Sequence, residues 1–474
     1  MTDAQFGMIG LGTMGRNFLL NVAEHGFSGV GYDLDESKRQ VLLTEGHGLP
    51  LDVGADISEF VSKLATPRNI MLLVPAGPVV DSVINGLVDY LDDGDLIIDG
   101  GNSHFTDTER RQESLLTRNI HFLGVGVSGG EEGARHGASI MVGGDSAVYE
   151  RVRPILEAAS AKVDGEPCGA HVGNGSAGHF VKMVHNGIEY GLMQLISEAY
   201  DLLHSGFQIR DEPAAKIFEK WNAGELNSFL IEITSIVLRK KDDDGTPLVE
   251  KILDTAGQKG TGKWTSEAAM EFGVPIPTID AAVSMRQISA LKEQRVKAAE
   301  LLGVSQDVQV DETLAPDTIH FVESGLHLAF IITYAQGLSL LRAASEEKYY
   351  DLDLTEIVKI WRGGCIIRSK LLDRFREALV ADADIPNLLI AENLRDTIRR
   401  EHNLLKATMK FAIAADVPCM GFGTALNYLK AYASERLPAN LIQAQRDLFG
   451  AHTYQRIDKE GTFHTADWVT SDLS

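Results

Sequence analysis

The chain is 474 residues long, with 44% hydrophobic and 23% charged residues and a formal net charge of −23 at pH 7. That length fits two or three domains with substantial cores; the acidic balance excludes bulk binding to nucleic acid or to an anionic membrane, so an anionic ligand has to be held by a local basic cluster. The three cysteines, Cys168, Cys365 and Cys419, form no CxxC pair, which points to a reducing compartment and to neither a disulfide nor a metal framework.

An apolar strand opens almost at once, with no basic-then-apolar leader ahead of it. Phe6 to Ile9 leads into Gly10-Leu11-Gly12-Thr13-Met14-Gly15, and a helical segment runs from Asn17 to His25. Strand, glycine turn and helix are the context in which GxGxxG binds a dinucleotide. The first glycine permits the turn, the second admits a pyrophosphate, and the third lets helix and strand pack closely. The next strand, Gly29 to Tyr32, ends at Asp33, whose carboxylate can accept hydrogen bonds from ribose hydroxyls and would repel a 2′-phosphate. Leu34 and Asp35 follow, and no cation appears before Lys38. This predicts NAD as coenzyme, with NADP the alternative.

Strand-like runs at Asn69 to Val74, Asp95 to Asp99 and Ile120 to Gly124 alternate with helical segments at Pro78 to Leu91 and Asp107 to Arg118. Ala138 to Val142 and Ala161 to Val163 are further candidate strands. The alternation predicts an α/β, Rossmann-type, doubly wound sheet over residues 1–176. Its ligands should lie beyond the strand carboxyl ends, at Val74-Pro75-Ala76-Gly77, Asp99-Gly-Gly-Asn102-Ser103 and Gly126-Val-Ser128-Gly129-Gly130-Glu131. Ser128, Gly129 and Gly130 offer a hydroxyl and bare amides, suited to a carboxylate.

In Phe180 to Tyr190 the polar residues Lys182, His185, Asn186 and Glu189 share one helical arc, between Met183, Val184 and Ile188. Taken alone such a stripe is more often a solvated face; on so apolar a helix it is expected to line a cleft. Helices are predicted at Leu192–Gly206, Ala214–Trp221, Ser228–Leu238, Ile279–Leu302, Pro316–Ala344, Asp353–Trp361, Ser369–Ala381 and Asn387–Ala415. Residues 177–434 thus read as a large all-α domain, and 435–474 as a C-terminal tail in which the helical period fades. Leu326 to Leu341, interrupted by Tyr334 and Gln336, is too short and polar for a bilayer span. A buried helix is expected there, and a cytoplasmic protein with no membrane partner. Lys240 to Gly245 reads as a solvated charged loop. Gly257 to Lys263 has the glycine and lysine spacing of an ATP-binding loop, but Trp264 stands where a Mg²⁺-binding hydroxyl is needed and no strand precedes it. Lys259 and Thr261 on this turn, with Arg286 on the next helix, suit a substrate phosphate instead.

Five blocks carry a more specific resemblance: Gly10 to Asn17, Asp99 to Ser103, Gly126 to Ala134, Lys182 to Tyr190, and Asp254 to Trp264. Arg446 to Tyr454 and Gly461 to His464 extend it, so that it spans the chain. These blocks resemble decarboxylating 6-phosphogluconate dehydrogenase of the long-chain, homodimeric type. Two departures stand out. Asp33-Leu34-Asp35 replaces the family's usual Asn-Arg-Thr, and the loop Val74-Pro75-Ala76 lacks the family's common lysine; both agree with NAD.

The resemblance implies oxidation and decarboxylation of 6-phospho-D-gluconate to ribulose 5-phosphate in the oxidative pentose phosphate pathway, without a metal. It implies Lys182 as base and Glu189 as acid. Gly10 to Gly15, Asp33 to Asp35, Val74 to Ala76 and Asn102 would hold the coenzyme. Ser128 to Gly130 would take the substrate carboxylate, and Tyr190, Lys259, Thr261, Arg286 and Arg446 its phosphate. Asn102, His185, Asn186 and His452 would position hydroxyls, with Arg446 and His452 reaching the site from the partner subunit's tail. A related β-hydroxyacid dehydrogenase and a non-catalytic dinucleotide scaffold are the alternatives. The first has no need of Lys259, Arg286 or the tail, and the second no need of Lys182 and Glu189.

Overall fold

The computed structural model describes residues 3–303 and 315–468. Strands β1 (Phe6–Ile9), β2 (Gly29–Tyr32), β3 (Leu51–Val53), β4 (Asn69–Leu72), β5 (Leu96–Asp99), β6 (His121–Ser128) and β7 (Ser139–Gly143) alternate with helices α1 (Thr13–Glu24), α2 (Glu36–Glu45), α3 (Ile57–Ser62), α4 (Pro78–Leu87), α5 (Phe105–Leu116) and α6 (Gly130–His136). Helix α7 (Ser146–Ala159), a two-strand hairpin of β8 (Lys162–Val163) and β9 (Glu166–Pro167), and β10 (Gly169–Gly173) follow. The main sheet has the order β10-β7-β6-β5-β4-β1-β2-β3. Every pair is parallel except β6 with β7, where Ser128 faces Ser139. Apolar clusters cover both faces, one around Phe6, Phe18, Leu123 and Val142, the other around Ile9, Phe60, Ile70 and Ile97. This is the doubly wound arrangement expected of alternating β and α segments.

Helix α8 (Ala177–Asp201) begins the helical part. It packs on β6, β7 and β10 on one side, and on α11 (Thr261–Glu271), α12 (Pro277–Ala290) and α14 (Ala315–Lys348) on the other. Glycine makes the sheet contact possible. A Cβ on Gly178 would lie 2.1 Å from the Gly124 carbonyl oxygen and 2.5 Å from that of Met141, and one on Gly126 would lie 2.4 Å from the Lys182 Cβ. Helices α9 (Asp211–Asn222), α10 (Phe229–Arg239), α13 (Lys292–Leu302), α15 (Leu354–Ile360), α16 (Leu371–Ala381), α17 (Glu392–Ala414) and α18 (Met420–Tyr432) complete the bundle. The apolar span Ile319–Lys348 is long enough to cross a membrane, yet 94% of its apolar window is buried inside the protein, so it is a core helix here.

By packing, the chain forms two compact units, Met1–Ala425 and Leu426–Ser474. The second contains helix α19 (Ala439–Gly450) and a hairpin of β11 (Tyr454–Gln455) and β12 (Thr462–Phe463). Asp447 ties it together, accepting hydrogen bonds from the N–H groups of Thr453 and Thr465 and from Trp468 Nε1, beside His464 Nδ1 at 2.9 Å. Burial raises its carboxyl pKa, but these bonds outweigh burial and hold it well below the ordinary carboxylate range.

The structure corrects the sequence reading in three places. The fading tail contains a full helix, α19, started by Pro438 at its N-cap. The single helix Ile279–Leu302 is two, because Leu291 leaves helical geometry at ψ 41° with no glycine or proline to signal the break. The strand expected at Ala161–Val163 is present as β8 but pairs with β9 in a separate hairpin, and the last strand of the main sheet is the short β10.

The contact of α8 with the sheet makes a direct prediction. Gly178→Ala pushes a methyl group into two backbone oxygens that cannot rotate away, a cost of about 3 kcal/mol or more. Gly86→Ala, on α4 where only Ile57 Cδ1 lies near at 3.5 Å, should be neutral or stabilise by up to about 1 kcal/mol. Thermal unfolding is expected to show a marked fall in Tm for the first and none for the second.

Candidate functional site

The glycine turn after β1 is shaped for a dinucleotide. Gly10 has φ 95°, and a Cβ there would meet the Leu73 carbonyl oxygen at 2.4 Å. A Cβ on Gly15 would come within 1.9 Å of the Gly10 oxygen, whereas Gly12 has nothing within 4 Å on its open side. Gly12 caps α1 without a side-chain hydrogen bond, so the first-turn amides at Thr13 and Met14 face outward for an anion. The residues present therefore fit a nicotinamide dinucleotide.

Asp33 closes this turn, its Oδ2 accepting from Leu11 N–H at 2.8 Å and its Oδ1 from Asp35 N–H at 3.0 Å. Asp35 caps α2, accepting from the Ser37 N–H and hydroxyl, and those bonds hold its carboxyl below the ordinary value. Leu34 is 88% exposed. One premise of the sequence reading is corrected here. Helix α2 starts so early that Lys38 and Arg39 fold back, the Lys38 ammonium 3.4 Å from the Asp33 carboxylate and the Arg39 guanidinium donating to the Asp33 carbonyl oxygen. Cations therefore stand beside Asp33 in space, although none lies between Asp33 and Lys38 in sequence. Val74 is half-buried, and Pro75, Ala76 and Asn102 are exposed, on the β4–α4 and β5–α5 loops.

The polar stripe of α8 is not a solvated face. Lys182 is 7% exposed and His185 fully buried. The Lys182 ammonium donates to Asn186 Oδ1 at 2.9 Å, and His185 Nδ1 lies 3.1 Å from the same oxygen. His185 Nε2 is 3.3 Å from the Ser128 hydroxyl, at the end of β6. Burial lowers the His185 pKa well below its usual value, reinforced by the Lys182 charge and opposed by Asn186. A neutral ring then gives Nδ1–H to Asn186 and accepts the Ser128 proton at Nε2. Burial likewise lowers the Lys182 pKa, against the attraction of Glu189 and Cys365. Glu189 is shifted the other way: burial raises its pKa, opposed by Lys182 and Arg286. One helix thus carries an amine biased toward its neutral form and a carboxyl biased toward its protonated form, a combination suited to general base and general acid.

Tyr190 lies one residue on, its ring covered by the Arg286 guanidinium at 3.6 Å. Arg286 also donates to the Gly257 carbonyl oxygen at 2.9 Å, joining α12 to the turn that bears Lys259. Lys259 is exposed, and Thr261 is the buried first residue of α11, after Gly260 at φ 97°. Gly129 and Gly130 have φ 120° and 62°, and a Cβ at Gly129 would strike the Gly364 carbonyl oxygen at 2.4 Å. Ser128, His185, Asn186 and Lys182 are thus linked by polar contacts, Arg286 and Tyr190 by a cation–ring contact, and Glu189 feels the charges of Lys182 and Arg286. Arg446 and His452 belong to the second unit; both are exposed there, Arg446 donating to Gln443 Oε1 at 3.1 Å and His452 packing on Phe449.

Sequence reasoning passed over Trp361, Gly364, Cys365 and Thr265. Trp361 sets its ring edge-on to His185 at 5.6 Å. The Cys365 thiol, raised to about 12 by burial, lies 3.0 Å from the Trp361 carbonyl oxygen. Thr265 Oγ1 reaches the Met183 carbonyl oxygen at 3.0 Å, holding α11 against α8. The only signal was Trp361-Arg-Gly-Gly-Cys365, an aromatic followed by paired glycines.

Asn186→Asp tests the electrostatics. A carboxylate in place of an amide 2.9 Å from the Lys182 nitrogen favours the ammonium and raises its pKa by about one unit or more. The neutral amine then appears only at higher pH, so the acid-side limb of kcat/KM against pH is expected to move upward by that amount.

Comparison with known proteins places this geometry in a family. Residues 5–173 match the NAD binding domain of 6-phosphogluconate dehydrogenase, and residues 178–468 match the 6-phosphogluconate dehydrogenase C-terminal domain. The chain is 48% identical over 470 residues to the NADP(+)-dependent, decarboxylating 6-phosphogluconate dehydrogenase of Bacillus subtilis, covering 99% of this chain and all of that one. It is 47% identical over 473 residues to the decarboxylating enzyme of Escherichia coli, with the same coverage. Among solved structures it superposes with a TM-score of 0.94 on Plasmodium falciparum 6-phosphogluconate dehydrogenase, described in its apo form and in complexes with NADP+ and with 6-phosphogluconate. That pair is 41% identical over 98% of this chain and all of the other.

Proposed function

The chain belongs to the 6-phosphogluconate dehydrogenase family, and from that premise we propose that it converts 6-phospho-D-gluconate to D-ribulose 5-phosphate and CO₂ with reduction of a nicotinamide dinucleotide. The observation that carries this reading is Lys182: a buried amine, biased toward neutrality, hydrogen-bonded to Asn186 two helical turns from a carboxyl biased toward protonation. The Gly10–Gly15 turn, Asp33 to Asp35, Val74 to Ala76 and Asn102 hold the coenzyme. When bound, its oxidised nicotinamide accepts a hydride from substrate C3.

Neutral Lys182 takes the C3 hydroxyl proton as that hydride leaves, giving a 3-keto acid. The resulting ammonium hydrogen-bonds the new carbonyl and draws electron density toward it. The bond from the carboxylate carbon then breaks, CO₂ departs, and the electron pair forms an enediol as Lys182 returns its proton to oxygen. Glu189 protonates the carbon that becomes C1 of the product, while the enediol hydroxyl proton passes back to Lys182. Ser128 to Gly130 receive the carboxylate. Lys259, Thr261, Arg286 and Tyr190 receive the phosphate, joined by Arg446 from a partner subunit. Asn102, His185, Asn186 and the partner-derived His452 orient the hydroxyls. The assembly is a cytoplasmic homodimer of the long-chain type, divided functionally into residues 1–176, 177–434 and a tail, 435–474.

Reduced nicotinamide and trapped CO₂ are expected in equal amounts from 6-phosphogluconate. Lys182→Ala should lower kcat by at least about a hundredfold with coenzyme affinity unchanged. Reduction without CO₂, or near-normal turnover by the variant, contradicts the mechanism.

For the coenzyme, Asp33 in place of a neutral residue supports NAD, since its carboxylate repels a 2′-phosphate. The second reading is NADP, favoured by Lys38 at the Asp33 carboxylate and Arg39 at the Asp33 carbonyl oxygen. On the NAD reading, wild-type kcat/KM is higher with NAD than with NADP, and Asp33→Asn, which leaves both cations in place, moves the ratio toward NADP by about tenfold or more. A wild-type preference for NADP decides for the second reading.

A further inference from the structure

Arg111, on α5, is assigned to no ligand above, yet it is among the most fully engaged side chains in the sheet half of the protein. It is 2% exposed. Its Nε donates to Asp81 Oδ1 at 2.8 Å, and its Nη2 reaches Asp81 Oδ2 at 3.3 Å and the Gly77 carbonyl oxygen at 3.0 Å. Its Nη1 reaches Asp99 Oδ2 at 3.2 Å and the Ser103 hydroxyl oxygen at 3.1 Å. A guanidinium has five N–H donors in a rigid plane, and here all five have acceptors.

Those acceptors belong to two neighbouring loops and to the helical turn that follows the first of them. Gly77 ends the loop that carries Val74, Pro75 and Ala76, and Asp81 lies in the first turn of the helix that follows. Asp99 and Ser103 bracket Gly100, Gly101 and Asn102. Within that second loop the Ser103 hydroxyl donates to Asp99 Oδ2 at 2.6 Å, and Gly101 N–H donates to Asp99 Oδ1 at 3.0 Å. A Cβ at Gly101 would sit 3.3 Å from the Val74 carbonyl oxygen, so the loops touch. The Arg111 hydrogen bond is the largest influence holding the Asp81 carboxyl below the ordinary carboxylate range.

We propose that Arg111 is a positioning residue for the coenzyme, locking the β4–α4 and β5–α5 loops into one rigid rim before the dinucleotide arrives. The proposal rests on the reading of this half as the dinucleotide site. Loops at strand ends are otherwise the mobile part of such a fold, and ordering them in advance removes that cost from binding. Arginine is required because lysine offers three donors on a single nitrogen, which cannot span acceptors on two loops.

The test joins two readouts that do not depend on turnover. Dissociation constants for NADH and NADPH are measured by the fluorescence of the reduced nicotinamide, and amide hydrogen exchange of residues 74–77 and 100–103 is followed in the coenzyme-free protein. Arg111→Lys should weaken the better-bound coenzyme by about tenfold and speed exchange at the Gly100 and Gly101 amides. Ser103→Ala, which removes one acceptor and leaves both ion pairs, should do the same to a lesser degree; it decides the matter if the lysine variant does not fold. Millimolar guanidinium should restore part of the affinity of Arg111→Ala. Folded variants with unchanged affinity and unchanged exchange overturn the proposal, as does a variant that loses only Tm. A wild-type protein that binds neither coenzyme removes the dinucleotide reading instead, and the exchange result then still decides whether Arg111 orders the loops.

Discussion

The chemistry depends on how closely helix α8 approaches strand β6. With no Cβ at Gly126 and Gly178, the helix lies against the strand and the Lys182 stem is enclosed where most lysines would reach water. A lysine in water keeps its proton near neutrality, and one desolvated beside a neutral acceptor loses it far more readily. The neutral acceptor is the Asn186 amide, and its oxygen is shared with His185, itself kept uncharged by burial. A charged imidazolium in that place would demand a counter-ion, and among the described residues its contacts Ser128, Asn186 and Trp361 supply none. The sheet therefore sets the basicity of the amine as much as it sets the place of the coenzyme.

The same helix organises its surroundings along its whole length. Its middle meets α11 through Thr265, and Gly187 and Gly191 leave room for the Thr265 and Thr333 side chains of neighbouring helices. Further along, Glu198 accepts the Gly421 and Phe422 N–H groups and so caps α18. The Lys182 amine, the Glu189 carboxyl, the Tyr190 ring covered by Arg286, and a structural cap all lie on one rigid element. The relative placement of the first three is then fixed by helical geometry rather than by loops, which holds reacting groups more accurately.

How much of this could be read from the chain follows from the range of the interactions. The glycine turn was legible because its physics is local: three glycines, a preceding strand and a following helix. The stripe from Lys182 to Glu189 was legible as a pattern expected to line a cleft, but the groups that enclose it were not, since Gly126 and the Trp361–Cys365 segment are distant in sequence. The absence of a cation between Asp33 and Lys38 was correctly read along the chain and misleading in space, because α2 turns Lys38 and Arg39 back onto Asp33. The break at Leu291 escaped notice because no glycine or proline marks it, and α19 because its apolar residues Leu441, Ile442, Leu448 and Phe449 are exposed and form no inward-facing helical stripe. Arg111 carried no signal in the chain, because its five acceptors come from two loops and the first turn of α4, brought together only by the fold.

The account stands on the protonation state of one side chain. The most direct measurement is an NMR titration of the Lys182 amine in protein carrying ¹³C-labelled lysine, with the resonance assigned by its loss in Lys182→Met. The predicted result is a midpoint clearly below the ordinary lysine value of 10.5. A midpoint at or above that value would contradict it, leaving Lys182 an ammonium that cannot accept the hydroxyl proton.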